Sequence, residues 1–126
     1  MEKQQRSLLI IDDEETVLFA FKDVLSESWL EVDTAQTLDE AKRLLDSTLY
    51  HGAVVDLRLS GSEGTEGFEA IRMIKKRYPH CKIILLTAYA KNGTKNRAFS
   101  EGADFFLEKP VSPEEIGNLF SVHGVI

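Results

Sequence analysis

Three carboxylates follow or interrupt apolar runs of the sequence, where they could do metal or phosphoryl chemistry. Asp12 and Asp13 come directly after the run Leu8–Ile11, and Asp56 interrupts the run Ala53–Leu57. A carboxylate in an apolar run is costly to bury without a partner, which favours a functional interpretation of Asp56. Taken alone, Asp12 and Asp13 fit residues that complement the dipole of a following helix slightly better.

A hydroxyl and an ammonium occupy equivalent places. Thr87 ends the run Lys82–Thr87, and Lys109 comes shortly after the run Asp104–Leu107. Neither is informative alone, because threonine is common in strands and a single lysine usually faces solvent. Their value lies in the combination of three carboxylates, one hydroxyl and one ammonium at four strand ends.

This combination predicts phosphoryl chemistry supported by a metal ion. Carboxylates held close together raise one another's pKa, and a hard divalent cation, Mg²⁺ or Mn²⁺, relieves their repulsion. A carboxylate can act as a nucleophile toward phosphorus. The reaction then needs cations and donors placed on the phosphoryl oxygens, which a lysine and a threonine can supply.

The elements that would position these residues alternate along the chain. Two of the apolar runs are apolar on both faces, as in buried parallel strands. The five predicted strands are Ser7–Ile11, Leu30–Ala35, Ala53–Leu57, Lys82–Thr87 and Asp104–Leu107. Helical periodicity between them predicts a (βα)5 three-layer sandwich with a doubly wound parallel sheet, but leaves the strand order open. Ligands of such sheets bind outside the carboxyl ends of the strands.

The predicted helices have identifiable faces and ends. The first buries one apolar face, the second begins with a capping box, the third stops before a proline, and the fifth begins with serine and proline. The residues concerned are Val17, Phe21, Val24 and Leu25; Thr37–Glu40; Phe68, Ile71, Ile74 and Tyr78-Pro79; and Ser112-Pro113. The short fourth helix is predicted over Thr94–Glu101, with Gly102 as its stop.

Composition limits the class of protein. The 126 residues suit one domain, 1–126, and the formal net charge of −6 argues against bulk attraction to nucleic acid or to an anionic membrane. One cysteine excludes an internal disulfide, and no segment approaches the ~20 apolar residues of a membrane span. We therefore expect a cytoplasmic protein.

The sequence resembles the receiver domains of two-component response regulators over essentially its whole length. The residues that carry the resemblance are Ile11-Asp12-Asp13-Glu14, Asp56-Leu57, Leu86-Thr87-Ala88, Gly102-Ala103-Asp104 and Lys109-Pro110. The resemblance implies a flavodoxin-like sheet of order 2-1-3-4-5. It also implies a phosphorelay switch, phosphorylated by a histidine kinase or phosphotransfer protein, that controls an output domain or downstream protein.

The resemblance assigns roles to individual residues. Asp56 would be the phosphoacceptor, and Thr87 and Lys109 would contact the phosphoryl group. Asp12, Asp13, Asp56 and the backbone carbonyl of Arg58 would bind the metal. Thr87 and Phe106 would form the switch, and the Lys109-Pro110 peptide would be cis. Arg58 and Tyr89 would flank the water that hydrolyses the phosphoryl group and so modulate its lifetime.

Other interpretations stay open at this point. A small Mg²⁺-dependent phosphohydrolase would use the same nucleophile, but Arg58 occupies the place of its usual second acid. An unphosphorylated binding module is the other alternative, and the complete set of site residues argues against it. We expect no catalysis beyond the chain's own phosphorylation and dephosphorylation, and a homodimer is left open. The Gly-rich segment 61–67 is expected to be a loop rather than a phosphate cradle, and His51, His80 and His123 are expected to be solvated.

Overall fold

The computed structural model describes residues 4–59 and 65–126, over which five strands alternate with five helices. The elements are β1 (Arg6–Ile11), α1 (Glu15–Leu25), β2 (Leu30–Ala35), α2 (Leu38–Ser47), β3 (Gly52–Asp56), α3 (Glu66–Arg77), β4 (Lys82–Thr87), α4 (Thr94–Glu101), β5 (Phe105–Glu108) and α5 (Pro113–Val122). All the strand pairs are parallel, in the order β2-β1-β3-β4-β5. The doubly wound fold and the order 2-1-3-4-5 are confirmed.

The register of the sheet brings the carboxyl ends of the central strands to one edge. Ile11 at the end of β1 pairs with Val55 of β3, one residue before Asp56. Asp56 in turn pairs with Leu86 of β4, one residue before Thr87. Polar residues that end β1, β3 and β4 must therefore lie side by side.

The sheet is buried on both faces, as its apolar strands predict. Leu9 and Ile11 of β1 belong to one apolar cluster, and Leu8 and Ile10 belong to another on the opposite face. The first cluster includes buried side chains of α2, α3 and α4, and the second includes those of α1 and α5. The helices thus form two layers around one sheet.

Side-chain caps begin two of the helices where the sequence predicts them. Thr37 Oγ1 accepts the N–H of Glu40 at 3.1 Å, and Ser112 Oγ accepts the N–H of Glu115 at 3.1 Å. The reciprocal bond of the first cap differs from a simple capping box, because Glu40 Oε2 accepts the N–H of Gln36 at 2.6 Å. This bond fixes the loop between β2 and α2 at the edge where the carboxylates lie.

Some predicted details were wrong by small amounts. Val24 is 39% exposed, although it was predicted to belong to the buried face of α1. That face is formed by Leu18, Phe21 and Leu25. β3 ends at Asp56, and β5 begins one residue later than predicted. Of the Gly-rich segment 61–67, expected to be a loop, residues 61–64 lie outside the described residues, whereas Glu66 and Gly67 already belong to α3. No helix in the described ranges has the length and apolar character needed to cross a bilayer.

Candidate functional site

A carboxylate cluster lies at the carboxyl edge of the sheet. One oxygen from each of Asp12, Asp13 and Asp56 lies within 4.8 Å of the other two, which makes this the acidic group of the described residues able to hold a metal ion. Asp12 and Asp56 are buried, whereas Asp13 is exposed. The sequence-predicted carboxylates are therefore brought together, with one of them open to solvent.

The backbone and a helix N-terminus hold Asp12 in place. Its N–H donates to the carbonyl of Ala35 at the end of β2, at 3.0 Å. Its Oδ1 accepts the N–H of Glu14, at 2.9 Å, at the start of α1. The acidic residues before α1 thus serve both interpretations raised by the sequence, because Asp12 bonds the helix start and also reaches the cluster.

Asp13 is linked to a residue that the sequence argument did not include. The Gln36 side chain donates its Nε2–H to the backbone carbonyl of Asp13 at 3.2 Å. Gln36 is itself held by the bond from its N–H to Glu40. Gln36 directly follows β2, so its place at this edge of the sheet was the signal that could have identified it.

The surroundings of Asp56 disfavour the ionised form of its carboxyl. Burial raises the pKa of its carboxyl to about 6, and repulsion from Asp12 and Asp13 adds to the rise. The Lys109 ammonium partly opposes this shift in the pKa of Asp56. Asp56 is still mainly ionised at pH 7, yet the cluster as a whole favours an additional cation.

Lys109 reaches both buried carboxylates. Its Nζ lies 3.3 Å from Asp12 Oδ2 and 3.5 Å from Asp56 Oδ1. Burial works to lower the pKa of Lys109, but attraction to Asp56 and Asp12 outweighs it and the pKa is raised. The lysine is therefore a permanent cation in the site, and the Lys109-Pro110 peptide that follows β5 is cis as predicted.

Thr87 is buried at the end of β4, the strand that pairs with β3. Its Oγ1 accepts the N–H of Tyr89 at 3.1 Å. The backbone carbonyl of Thr87 accepts the N–H of Lys109 at 2.8 Å, which ties the strand end to the lysine. The hydroxyl oxygen thus accepts a local bond, and its O–H is left as a donor for another group.

Gly67 is a second residue that the sequence argument did not single out for the site. A Cβ at this position would lie 2.6 Å from Leu57 Cα and 2.8 Å from the Asp56 carbonyl oxygen. Its N–H donates to the Leu57 carbonyl at 3.0 Å. The start of α3 therefore packs directly on the backbone that carries Asp56, and only glycine fits there without displacing it.

Arg58, Tyr89 and Phe106 are the remaining residues to which the sequence assigns a role. The guanidinium carbon of Arg58 lies 5.3 Å from the centre of the Tyr89 ring, and both side chains are exposed. Phe106 of β5 is partly buried against the apolar cluster of α2, α3 and α4. The roles of Arg58, Tyr89 and Phe106 stay predictions.

The donor set fits a hard divalent cation. All three side chains that lie within reach offer carboxylate oxygens, which Mg²⁺ and Ca²⁺ prefer. The raised pKa of Asp56, caused first by burial and also by Asp12 and Asp13, shows that Lys109 does not fully offset the cost of the Asp56 charge. The backbone carbonyl of Arg58 as a further ligand stays a prediction.

The histidines differ from the expectation of three solvated side chains. His51 is half-buried, its Nδ1 accepts the N–H of Ser7 at 3.1 Å, and its pKa is lowered by burial and by Arg6. His80 and His123 are exposed, and the His123 ring lies 4.8 Å from that of Phe105. None of the three belongs to a metal-binding group in the described part of the chain.

Known proteins resemble this chain in both sequence and structure. The sequence model of the response regulator receiver domain matches residues 8–120. Over 119 residues, the chain is 32% identical to the photosynthetic apparatus regulatory protein RegA of Cereibacter sphaeroides, covering 94% of this chain and 63% of RegA. It is 30% identical to the alginate biosynthesis transcriptional regulatory protein AlgB of Pseudomonas aeruginosa, covering 91% of this chain and 25% of AlgB. The chain thus spans only part of these relatives.

Solved structures of the same fold were found as well. A CheY-like receiver domain protein from Methanospirillum hungatei superposes with a TM-score of 0.85 at 27% identity, covering 95% of this chain and 94% of the other. A response regulator from Burkholderia pseudomallei, solved with a phosphorylated aspartic acid, calcium ion and citrate, gives a TM-score of 0.81 at 29% identity. The two alignments cover 95% of this chain and 72% of the Burkholderia chain.

Proposed function

This chain belongs to the response regulator receiver domain family and is a phosphorelay switch domain, and we propose that Asp56 is its phosphoacceptor. One observation carries the proposal. The Asp56 carboxylate lies at the end of the central strand β3, 3.5 Å from the Lys109 ammonium and within 4.8 Å of the oxygens of Asp12 and Asp13. Asp12 is also buried beside Lys109 and two acidic neighbours, but its Oδ1 accepts the N–H of Glu14 at the start of α1, which makes it the poorer nucleophile of the two.

The chemistry assigned to Asp56 is nucleophilic substitution at phosphorus. A carboxylate oxygen of Asp56 forms a bond to phosphorus, the bond from phosphorus to the donor's leaving atom breaks, and the electron pair stays with that atom. Asp56 must be ionised to attack, and a pKa of about 6 leaves it so at neutral pH. Lys109 lies where it can donate to a phosphoryl oxygen bonded to Asp56, which offsets charge in the transition state.

Asp12, Asp13 and Asp56 are the residues that would hold Mg²⁺ or Mn²⁺, with the Arg58 carbonyl as a further ligand. When bound, the metal ion would offset the negative charge of the carboxylates and of the phosphoryl oxygens. Gln36 would keep the Asp13 backbone in position through the bond to its carbonyl. Lys109 would stay in place through its contact with Asp12.

We also propose that Thr87 and Phe106 carry the signal. A phosphoryl oxygen on Asp56 can accept a charge-assisted bond from the Thr87 O–H, whose oxygen at present accepts the N–H of Tyr89. A shift of Thr87 toward the phosphoryl group would open space beside β5 that Phe106 could fill. This would bias an existing two-state equilibrium of the surface formed by α4 and β5.

The partners follow from the same proposal. A histidine kinase or phosphotransfer protein would donate the phosphoryl group, and an output domain or downstream protein would respond to it. Such donors imply a cytoplasmic location, and residues 1–126 are proposed to form one domain. We propose no catalysis beyond the phosphorylation and dephosphorylation of the chain itself.

The deciding experiment is intact mass spectrometry after incubation with acetyl phosphate. We expect a gain of one phosphoryl group in the presence of Mg²⁺, no gain with excess chelator, and no gain in Asp56→Asn. Asp23→Asn, which removes an exposed carboxylate of α1, is the matched control and should be labelled like the wild type.

Three outcomes would contradict the proposal. Full labelling of Asp56→Asn would mean that another residue is the acceptor. Labelling in excess chelator would mean that the cluster needs no metal. Continuous hydrolysis of p-nitrophenyl phosphate that depends on Asp56 would instead favour the phosphohydrolase alternative.

A further inference from the structure

A second concave site lies at the opposite edge of the sheet from the carboxylates. It has a volume of about 420 Å³ and is formed where β1, β3 and β4 begin and where α3 and α5 end. Arg6 and Lys82, the first residues of β1 and β4, line it, whereas Asp12 and Thr87 lie at the other ends of those strands. Its size is that of a pocket for a small organic molecule.

The walls of the pocket are apolar and aromatic. Tyr50, Cys81 and Val125 are buried beneath it, and Leu49, which is 56% exposed, lies at its mouth. Burial also raises the pKa of the Cys81 thiol to about 12, so this residue is an uncharged part of the wall at neutral pH. The pocket therefore offers contact to an apolar body.

The guanidinium, ammonium and imidazole groups of the pocket give it a basic character. It is lined by Arg6, Arg77 and Lys82 together with His51, His80 and His123, and no Asp or Glu of the described residues lines it. This is notable in a chain with a formal net charge of −6. The histidines that appeared scattered in the sequence are thus brought to one site.

Some of this positive charge has a structural explanation. Arg77 pairs with Asp46 at 2.7 Å, and Lys82 lies 3.9 Å from Asp104. The C-terminal carbonyls of α3 and α5 also carry partial negative charge, roughly half an elementary charge for each helix, which basic residues offset. Arg77 and Lys82 therefore do not by themselves indicate an anion.

Arg6 and His51 are not explained in this way. Arg6 belongs to β1 rather than to a helix end, and within the part of the chain that the structure describes its Nη2–H donates to the neutral Gln4 Oε1, at 3.1 Å. Its charge also contributes to lowering the pKa of His51, after burial, so the imidazole is neutral at pH 7. Because Nδ1 of His51 accepts the N–H of Ser7, the neutral ring carries its proton on Nε2.

We propose that this pocket binds a small organic anion, a carboxylate carried on an aromatic or aliphatic body, with Arg6 and the Nε2–H of His51 as its donors. The guanidinium supplies charge and a forked pair of donors that match a carboxylate. The apolar wall takes the body of the ligand. The proposal is independent of phosphorylation, because none of these residues belongs to the carboxylate cluster.

The probe is 1-naphthoate, compared with the neutral and nearly isosteric 1-naphthamide, in titrations of the 15N-labelled chain. We expect saturable shifts of the amides of residues 49–51, 80–82 and 123–125. The loss of one charge-assisted hydrogen bond corresponds to about tenfold in affinity, so 1-naphthamide should bind about tenfold more weakly. Arg6→Gln should weaken 1-naphthoate by a similar factor and leave 1-naphthamide unchanged.

Two further variants test the proposal without relying on the correct folding of Arg6→Gln. Lys76→Gln removes one positive charge of α3 that does not line the pocket and should leave the affinity unchanged. Leu49→Asp adds a negative charge at an exposed position of the mouth and should weaken 1-naphthoate far more than 1-naphthamide. Equal binding of the two probes, equal effects of Arg6→Gln and Lys76→Gln, or shifts centred on residues 12, 13 and 56 would overturn the proposal.

Discussion

Lys109 Nζ lies 3.5 Å from Asp56 Oδ1, although the lysine follows the edge strand β5 and the aspartate ends the central strand β3. The bond from the Lys109 N–H to the Thr87 carbonyl holds the backbone from which the side chain reaches across β4. The contact gives Asp56 one nearby cation, but burial and two acidic neighbours still raise its pKa to about 6. This imbalance has measurable consequences for stability and for metal binding.

The first prediction concerns the pH dependence of stability without metal. Burial raises the pKa of Asp56 from its ordinary value of 3.8 to about 6 in the folded state. The folded state therefore binds more protons than the unfolded state between these values, and the free energy of unfolding falls as pH rises through this window. Asp56→Asn should remove this loss and be more stable at pH 7 by up to about 3 kcal/mol.

The measurement is urea unfolding at pH 4 and pH 7 in excess chelator, for wild type, Asp56→Asn and the exposed control Asp23→Asn. The control should follow the wild type at both pH values. If Asp56→Asn gains no stability relative to the wild type between pH 4 and pH 7, the buried carboxylate is not repelled as argued.

The second prediction concerns metal affinity. Asp13→Asn should weaken Mg²⁺ binding because it removes one of few anionic ligands, and a change at Asp12 should matter as well. Lys109→Ala should leave the affinity unchanged or raise it, because the lysine is a competing cation 3.3 Å from Asp12. Trp29 precedes β2 at the other edge of the sheet, so the titration is best followed by NMR rather than by its fluorescence. If Asp13→Asn, a change at Asp12 and Lys109→Ala all weakened Mg²⁺ binding equally, the roles assigned to these residues would be wrong.

The third prediction uses the contact between α3 and the backbone of β3. Gly67→Ala places a Cβ 2.6 Å from Leu57 Cα, so the chain beside Asp56 must move. We expect a loss of about 1–3 kcal/mol in the free energy of unfolding, the usual cost of overpacking, together with slower labelling by acetyl phosphate.

Gly117→Ala is the matched control for this change. Its added Cβ would meet only the end of the Leu25 side chain, at 2.8 Å, which can move. Since alanine favours a helix over glycine by about 1 kcal/mol, the control should lie within about that amount of the wild type. A Gly67→Ala protein as stable and as quickly labelled as this control would show that α3 does not position Asp56.

The fold was predictable from the sequence because apolar runs alternate with helical periodicity, two of the runs are apolar on both faces, and two helices have clear side-chain caps. Thr37, Ser112 and Gly102 marked helix ends within a residue of where they lie. The strand order came from the resemblance, since periodicity describes single elements and not their neighbours. Val24 was misplaced because period alone does not fix how far a helix turns about its axis.

The site was predictable to the extent that it depends on strand ends. Asp12, Asp56 and Lys109 meet because parallel strands end at one edge. Gln36 and Gly67 were missed. Gln36 acts through a bond to a backbone carbonyl, and Gly67 acts through its lack of a Cβ. Neither contribution produces a recognisable pattern of residue spacing in the sequence. The meeting of His51 with Arg6 likewise depends on the start of strands far apart in the chain.

The fourth prediction concerns the coupling between the site and β5. The Thr87 hydroxyl, whose oxygen now accepts the N–H of Tyr89, can donate its O–H to a phosphoryl oxygen, a net gain of about 1 kcal/mol, which shifts a two-state population roughly fivefold. Beryllofluoride, which imitates the phosphoryl group on Asp56, should therefore shift the NMR signals of residues 98–107. Thr87→Ser keeps the hydroxyl and should retain these shifts, whereas Thr87→Val should lose them and keep those near Asp56. Unchanged signals of residues 98–107 in the wild type would mean that the coupling is absent.

The last prediction concerns the lifetime of the phosphorylated state. Hydrolysis needs a water in line with the scissile bond, on the side away from Asp56, and positioning that water is a large part of the barrier. Arg58 and Tyr89 contact each other, with the guanidinium carbon 5.3 Å from the ring centre. Neither is a carboxylate or amide suited to hold the water as an acceptor, and Arg58 can pair with phosphoryl oxygens. We therefore expect slow self-dephosphorylation.

The expected change in the decay rate of phospho-Asp56 depends on the solvent exposure of the contact between Arg58 and Tyr89. An exposed cation–π contact contributes about 0.5–1 kcal/mol, which corresponds to a rate change of roughly two- to fivefold. Decay of phospho-Asp56 should therefore accelerate by that factor in Arg58→Asn or Tyr89→Ala. The double variant should gain less than the product of the two, because each single change already breaks the contact. If both single variants decay at the wild-type rate or more slowly, the pair does not shield the phosphoryl group, and slower decay in Tyr89→Ala alone would mean that its hydroxyl holds the attacking water.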